Sequence, residues 1–106
     1  MLKREERMVK VLMSWDIVQG HESEYFEFVV KEWAPGLQKL GIETHEVWFT
    51  VYGDVPQILM SGLAHDAAAA RKALTSPEWK RLEDRLMQYV TDFKHKVIPA
   101  SGGFQL

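Results

Sequence analysis

The chain has 106 residues, 46% of them hydrophobic and 26% charged, with a net charge of -2. This is one domain of ordinary size, read as residues 1-106, and its weak negative charge offers no electrostatic basis for nucleic acid or an anionic membrane surface. The absence of cysteine excludes disulfides, thiolate metal sites and cysteine nucleophiles and fits a reducing cytoplasm, where we expect the protein to reside.

The start, Met1-Leu2-Lys3-Arg4-Glu5-Glu6-Arg7, is charged and makes a poor signal peptide. Residues 1-7 are read as a solvated arm, with an extension of the first strand as the alternative. No stretch reaches the roughly 18 apolar residues needed to span a bilayer. Met8 to Val18 alternates as a strand, with Val9, Val11, Met13, Trp15 and Ile17 on one side and Lys10, Leu12, Ser14 and Asp16 on the other. Gln19-Gly20 breaks it. From Glu22 onward Phe26, Val29 or Val30, Trp33, Leu37 and Leu40 recur at helical spacing. Pro35 predicts a kink or break near Trp33, and Gly41 a stop.

A hairpin follows. Ile42 to Tyr52 turns through Gly53-Asp54-Val55-Pro56 into Gln57 to His65. With those four residues as the loop, Tyr52 opposes Gln57, Thr50 Leu59, Trp48 Ser61, Glu46 Leu63 and Thr44 His65, and opposed residues share a face. The other face carries His45, Val47, Phe49 and Val51 beside Ile58, Met60, Gly62 and Ala64. That second face is nearly all apolar and calls for a cover of helices. The first is aromatic, hydroxylic and titratable, as in a ligand pocket or a wet interface. A one-residue change in loop length exchanges the two sets.

Asp66 suits the N-cap of a helix over Ala67 to Leu74. Ser76-Pro77 restarts a helix, serine as cap and proline at its first position, with Trp79, Leu82, Leu86, Tyr89 or Val90 and Phe93 as the buried stripe. Tyr89 to Ile98 reads as a continuing helix or as a strand alternating Thr91, Phe93, His95 and Val97. We favour a strand near 92-98, stopped by Pro99 and followed by a tail at 100-106. The order strand, helix, strand, strand, helix, strand is the ferredoxin-like βαββαβ arrangement, an α+β fold with a four-stranded antiparallel sheet and both helices on one face. The uncovered face offers very roughly 400 Å², from a ~4.8 Å strand spacing and a ~3.4 Å rise. It includes Leu12, Trp48, Tyr52, Leu59 and Leu63, so a second copy is expected to cover it in a homodimer.

Gly20-His21-Glu22-Ser23-Glu24-Tyr25-Phe26 after the first strand resembles the glycine, acidic, aromatic helix entry of the dimeric α/β-barrel superfamily. Ser76-Pro77-Glu78-Trp79 is similar to the start of that superfamily's second long helix. Among its branches the chain looks most like the NIPSNAP-like group, with the antibiotic-biosynthesis monooxygenases and stress-responsive barrels behind it. The resemblance implies a dimer whose sheets pair to form a barrel, with a pocket inside the barrel or between sheet and helices. It supplies no invariant catalytic set.

The residues expected on the inner face are Asp16, Thr44, Glu46, Trp48, Tyr52, Ser61 and His65. Trp48 and Tyr52 are suited to stacking on a flat molecule, with Thr44, Glu46 and Ser61 as polar contacts, and His65 or Asp16 as a proton acceptor. The bland reading is a polar interior filled with water. His21, His45, His65 and His95 lack metal-ligand spacing, and neither a metal nor a cofactor is implied. Trp15, Trp33 and Trp79 fall on apolar stripes and belong to the core. The run Lys80-Arg81 through Arg85 reads as a solvated helix face. No phosphate loop, nucleophile elbow or dinucleotide fingerprint is present. Three functions remain: a cytoplasmic homodimer binding an aromatic or apolar small molecule, a cofactor-independent monooxygenase of a phenolic or quinol-type substrate, and a structural or assembly module without a ligand.

Overall fold

In a computed structural model, residues 7-50, 53 and 56-100 are described. Of the expected arm 1-7 and tail 100-106, residues 1-6 and 101-106 lie outside them, as do Val51, Tyr52, Asp54 and Val55. Strand β1 (Val9–Ile17) has the alternation its sequence dictates: Val11, Met13 and Trp15 are buried, whereas Lys10, Leu12, Ser14 and Asp16 are only partly covered. It is flanked on both sides, by β3 (Ile58–Ala64) and by β4 (Val90–Pro99), and β2 (Glu43–Phe49) closes the order β2-β3-β1-β4. All three pairings are antiparallel. This is the ferredoxin-like α+β fold expected from the sequence, with the buried apolar set of β1 turned toward the helices.

Helix α1 (Glu22–Phe28) enters behind Gly20, whose N–H donates to Glu22 Oε1 at 3.2 Å. Backbone N–H groups at this entry, the residue's own first and that of Gly20 second, hold the Glu22 carboxyl below its ordinary pKa. The kink or break expected near Trp33 takes another form. The chain widens into one π-helical segment, Val29–Trp33, and continues as α2 (Ala34–Lys39), with Pro35 in its first turn. Proline has no N–H to donate, and its ring crowds the carbonyl four residues earlier, so a wider turn ahead of it avoids both faults. The extra residue also moves the stripe. Tyr25, Phe28, Trp33 and Leu37 are buried, and of the expected Val29 or Val30 it is Val29 that packs on the core, whereas Phe26, expected inside, is 51% exposed. Gly41 ends the helix at φ +86, a conformation that glycine adopts without strain.

Helices α3 (Ala67–Leu74) and α4 (Pro77–Leu86) begin as their sequences require. Asp66 Oδ1 accepts the Ala69 N–H at 2.7 Å, and Ser76 Oγ accepts the Trp79 N–H at 3.1 Å. The strand expected near 92-98 starts earlier, at Val90, and runs into Pro99, which pairs with Val9. Asp92, at φ 55, sits where the β1–β4 register slips between Ser14 and Asp16. That slip is a bulge, and aspartate tolerates the left-handed conformation it imposes.

The helices and sheet are joined by aromatic rings. Trp15 meets Trp33 edge-on at 5.8 Å and Phe93 at 5.9 Å, and Trp33 packs on Trp79 at 5.7 Å. The Trp15 indole N–H donates to Tyr25 Oη at 2.9 Å, and the Trp33 indole N–H to Met60 Sδ at 3.4 Å. Burial raises the Tyr25 phenol above its ordinary pKa, an effect the Trp15 hydrogen bond partly opposes. Because the folded-state pKa is the higher one, the stability linked to this proton is complete below the ordinary phenol value and is lost as pH rises through the raised one.

The hairpin departs from the expected pairing by two positions. Thr50 N–H donates to Gln57 O at 2.8 Å, so Thr50 faces Gln57 and residues 51-56 lie between the strands, not the four of 53-56. Trp48 consequently opposes Leu59, and Glu46 opposes Ser61. Side chains alternate with period two, so a slip of two leaves each on its expected face. A bulge between Thr44 and Glu46 then alters the start of β2: Thr44 opposes Gly62 and Glu43 opposes Leu63. Thr44, expected on the inner face, therefore shares the helix-side face with Gly62. A Cβ on Gly62 would press into Ile42 Cγ2, and Ile42 is fully buried.

Two consequences are testable. Gly62→Ala is expected to cost about 1–3 kcal/mol by overpacking against Ile42, read as a lower urea midpoint at unchanged slope. Tyr25→Phe keeps the ring but leaves the Trp15 N–H without its acceptor, and is expected to cost about 1–3 kcal/mol. The same variant should remove a step raised above the ordinary phenol pKa from the tyrosinate absorbance titration.

Candidate functional site

The face of the sheet away from the helices is a grid fixed by the three pairings. One row across the strands runs Trp48, Leu59, Ser14, Lys94. The next runs Glu46, Ser61, Leu12, Lys96, and the third Glu43, Leu63, Lys10, Ile98. Rows are spaced two residues apart along each strand, about 7 Å, and neighbours within a row lie about 5 Å apart. A depression of about 560 Å³ occupies this face. Its floor is Leu12, Ser14, Leu59 and Ser61, with Trp48 and Glu46 on one side and Lys94 and Lys96 on the other.

Three of the expected residues meet here. Trp48 is 56% exposed, as a ring waiting for a partner would be, whereas Trp15, Trp33 and Trp79 are buried. Glu46 Oε1 lies 3.8 Å from Lys10 Nζ and 3.6 Å from His45 Nε2. Ser61 is 5% exposed, and its buried Oγ has no hydrogen-bond partner among the described residues. A buried hydroxyl without a partner costs about 1–3 kcal/mol, and this one lines the depression.

The others lie elsewhere. Asp16 is held at one end of the sheet, where Oδ1 accepts the Gln57 N–H at 2.8 Å and Gln57 Oε1 accepts the Ile17 N–H at 2.8 Å. His65 is at the far end of β3, beside a separate depression of about 280 Å³ bordered by Glu43 and Gln38. Eight residues of strand separate Gln57 from His65, about 27 Å at 3.4 Å per residue. The two suggested proton acceptors therefore cannot serve one substrate within one chain. Thr44 is on the helix-side face, and Tyr52 is outside the described residues. His45 and His95 lie on opposite edge strands. His95 packs against Trp79 at 5.6 Å and Phe93 at 5.6 Å.

Lys94 and Lys96 are the lining residues that the sequence reading passed over. The signal was present: with Phe93, His95 and Val97 on the helix side, their neighbours in β4 had to face the other way. A second departure concerns β2. Its Val47 and Phe49 oppose the buried Met60 and Ile58, yet they are 59% and 54% exposed. The expected helical cover reaches the start of this edge strand, where Ile42 N–H donates to Leu37 O at 2.9 Å, and does not extend over its middle.

No protein-family model and no curated protein sequence matches the chain. Solved structures do. A NIPSNAP domain protein from Burkholderia xenovorans aligns over 92% of this chain and 99% of its own, at 16% identity and a TM-score of 0.61. SnoaB, a cofactor-independent oxygenase from Streptomyces nogalater, aligns over 94% and 96%, at 17% identity and 0.67. A dimeric protein of unknown function and ferredoxin-like fold from Bacteroides fragilis aligns over 87% and 95%, at 15% identity and 0.58. The chain has the ferredoxin-like fold of these proteins. The likeness read from the Gly20 to Phe26 and Ser76 to Trp79 segments is thus shown at the level of fold, across both the NIPSNAP-like and the oxygenase branch. At these identities the fold is all that is shared by demonstration.

Ser61→Ala is expected to stabilise the unliganded protein by about 1 kcal/mol, raising the thermal midpoint by roughly 4 °C, because it deletes a buried hydroxyl that no described residue satisfies. An unchanged or lowered midpoint would show that the hydroxyl is already satisfied.

Proposed function

We propose that the protein is a homodimeric, cytoplasmic small-molecule-binding protein whose open sheet faces close over the depression to form a chamber for an aromatic or apolar ligand. The observation that carries this reading is the buried Ser61 hydroxyl, without a partner among the described residues, lining one depression with the half-exposed Trp48, Leu12 and Leu59. Dimerisation is supported by the exposure of Trp48 and Leu59 side by side on the open face, an apolar patch that a second copy would remove from water. The described dimeric state of the Bacteroides fragilis protein agrees with it. The cytoplasmic placement rests on the cysteine-free composition.

A second reading, oxygenation of a phenolic or quinol-type substrate without a cofactor, is favoured by the likeness in fold to SnoaB. It requires a proton acceptor at the substrate. Glu46 is the carboxylate lining the depression, whereas Asp16 and His65 lie outside its lining. Those two keep the assignment only if the substrate binds elsewhere.

Sedimentation equilibrium tests the dimer: a mass twice the 12.3 kDa of the chain is expected, falling to a single copy in Trp48→Glu/Leu59→Glu. A wild-type monomer would overturn it. For the chamber, 2-naphthol titrated into ¹⁵N-labelled protein is expected to shift the Trp48 indole N–H saturably, with a Kd tighter than about 1 mM. The three core tryptophan indoles should move far less.

A further inference from the structure

The open face carries the charge opposite to that of the chain. The protein as a whole is -2, yet the depression is lined by three lysines, Lys10, Lys94 and Lys96, and one carboxylate, Glu46, a local excess of two positive charges. Glu46 is engaged at its own edge by Lys10 and His45. Lys94 and Lys96, two residues apart on β4 and therefore on one face, make no ion pair with any described residue. By the pairings, Lys94 flanks Ser14 and Lys96 flanks Leu12, and Leu12 in turn flanks Ser61. The order across the sheet is thus aromatic ring and buried hydroxyl, apolar floor, then cationic wall, about 10 Å from Ser61 to Lys96 between backbones at about 5 Å per strand.

We infer that the ligand of this depression is an amphipathic anion, an aromatic or apolar body bearing a carboxylate or comparable acidic group. The body covers Leu12 and Leu59 against the Trp48 ring. The acidic group lies between the Lys94 and Lys96 ammonium groups, and a polar substituent at the other end meets Ser61 Oγ. The inference rests on the chamber reading above and sharpens it. If two open faces close on each other, the lysines leave bulk water, and a cation withdrawn from water without a counter-charge is costly, so the closed chamber favours an anion more strongly than the open face does. A neutral ligand leaves that cost unmet. A cationic ligand increases it.

Binding of 2-naphthoate, its neutral isostere 2-naphthamide and the cation 2-naphthylmethylammonium to the full chain, followed at the Trp48 indole N–H, separates the possibilities. We expect 2-naphthoate to bind about tenfold more tightly than the amide at low ionic strength. The preference should shrink as salt rises to 0.3 M and disappear in Lys94→Gln/Lys96→Gln. The two lysines are exposed, so the double variant should fold, and the wild-type salt dependence tests the same point without any substitution. Equal affinity of naphthoate and amide, or preference for the cation, overturns the anion assignment while leaving the chamber intact. Failure of naphthoate, amide and 2-naphthol alike to bind overturns the chamber reading and this inference with it.

Discussion

The contact on which the rest depends is that of Trp15 with the helices. It stands near the end of the inner strand β1, opposite Ile58 of β3 and at the slip in the β4 pairing, and it is met by Trp33 from the π segment, Tyr25 from α1 and Phe93 from β4. Rings of this size bury about 150–250 Å² each and prefer the edge-on and tilted contacts found here. Its polar atom is satisfied inside the cluster by Tyr25 Oη. The result is a helix layer locked to one side of the sheet. Strand geometry then leaves no choice for the other side: Lys10, Leu12, Ser14 and Asp16 must face away.

The site follows from that division of labour and from where each strand sits in the sheet. β3 is an inner strand, and its helix-side residues Ile58, Met60 and Ala64 are all buried. β2 is an edge strand whose middle lies beyond the reach of the helices, so the same apolar pattern leaves Val47 and Phe49 exposed. One hydrophobic pattern thus has two outcomes, decided by the distance from the aromatic cluster. The open face collects what the core rejects: lysines from β1 and β4, a tryptophan and a glutamate from β2, and a serine of β3 whose hydroxyl bonds to no described residue.

Much of this was legible in the residues. The alternation in β1 named both faces of the central strand, and the caps at Asp66 and Ser76 placed the starts of two helices to the residue. The hairpin pairing was misplaced by two positions, yet Trp48, Glu46 and Ser61 still converged, because an even slip preserves faces. Thr44 was lost to a bulge at His45 that no turn residue announces. The start of the helix stripe is displaced because the chain absorbs Pro35 by one wide turn in place of a kink or break, which turns Tyr25 inward and Phe26 outward. Asp16 and His65 were grouped by chemical type, and their separation along the sheet is a matter of length that side-chain character does not carry.

What the chain by itself determined was the order of elements and the face each strand residue takes, since both are local: periodicity, caps and turn residues act over a few neighbours. Only the tertiary structure decided which residues stand together across strands, how far the helices cover the sheet, and that the lysines of β4 lie across the floor from Trp48 and Ser61. Those relations join residues as far apart in sequence as Val9 and Pro99, and they are set by strand order, bulges and the reach of the aromatic core, none of which is encoded in any one segment.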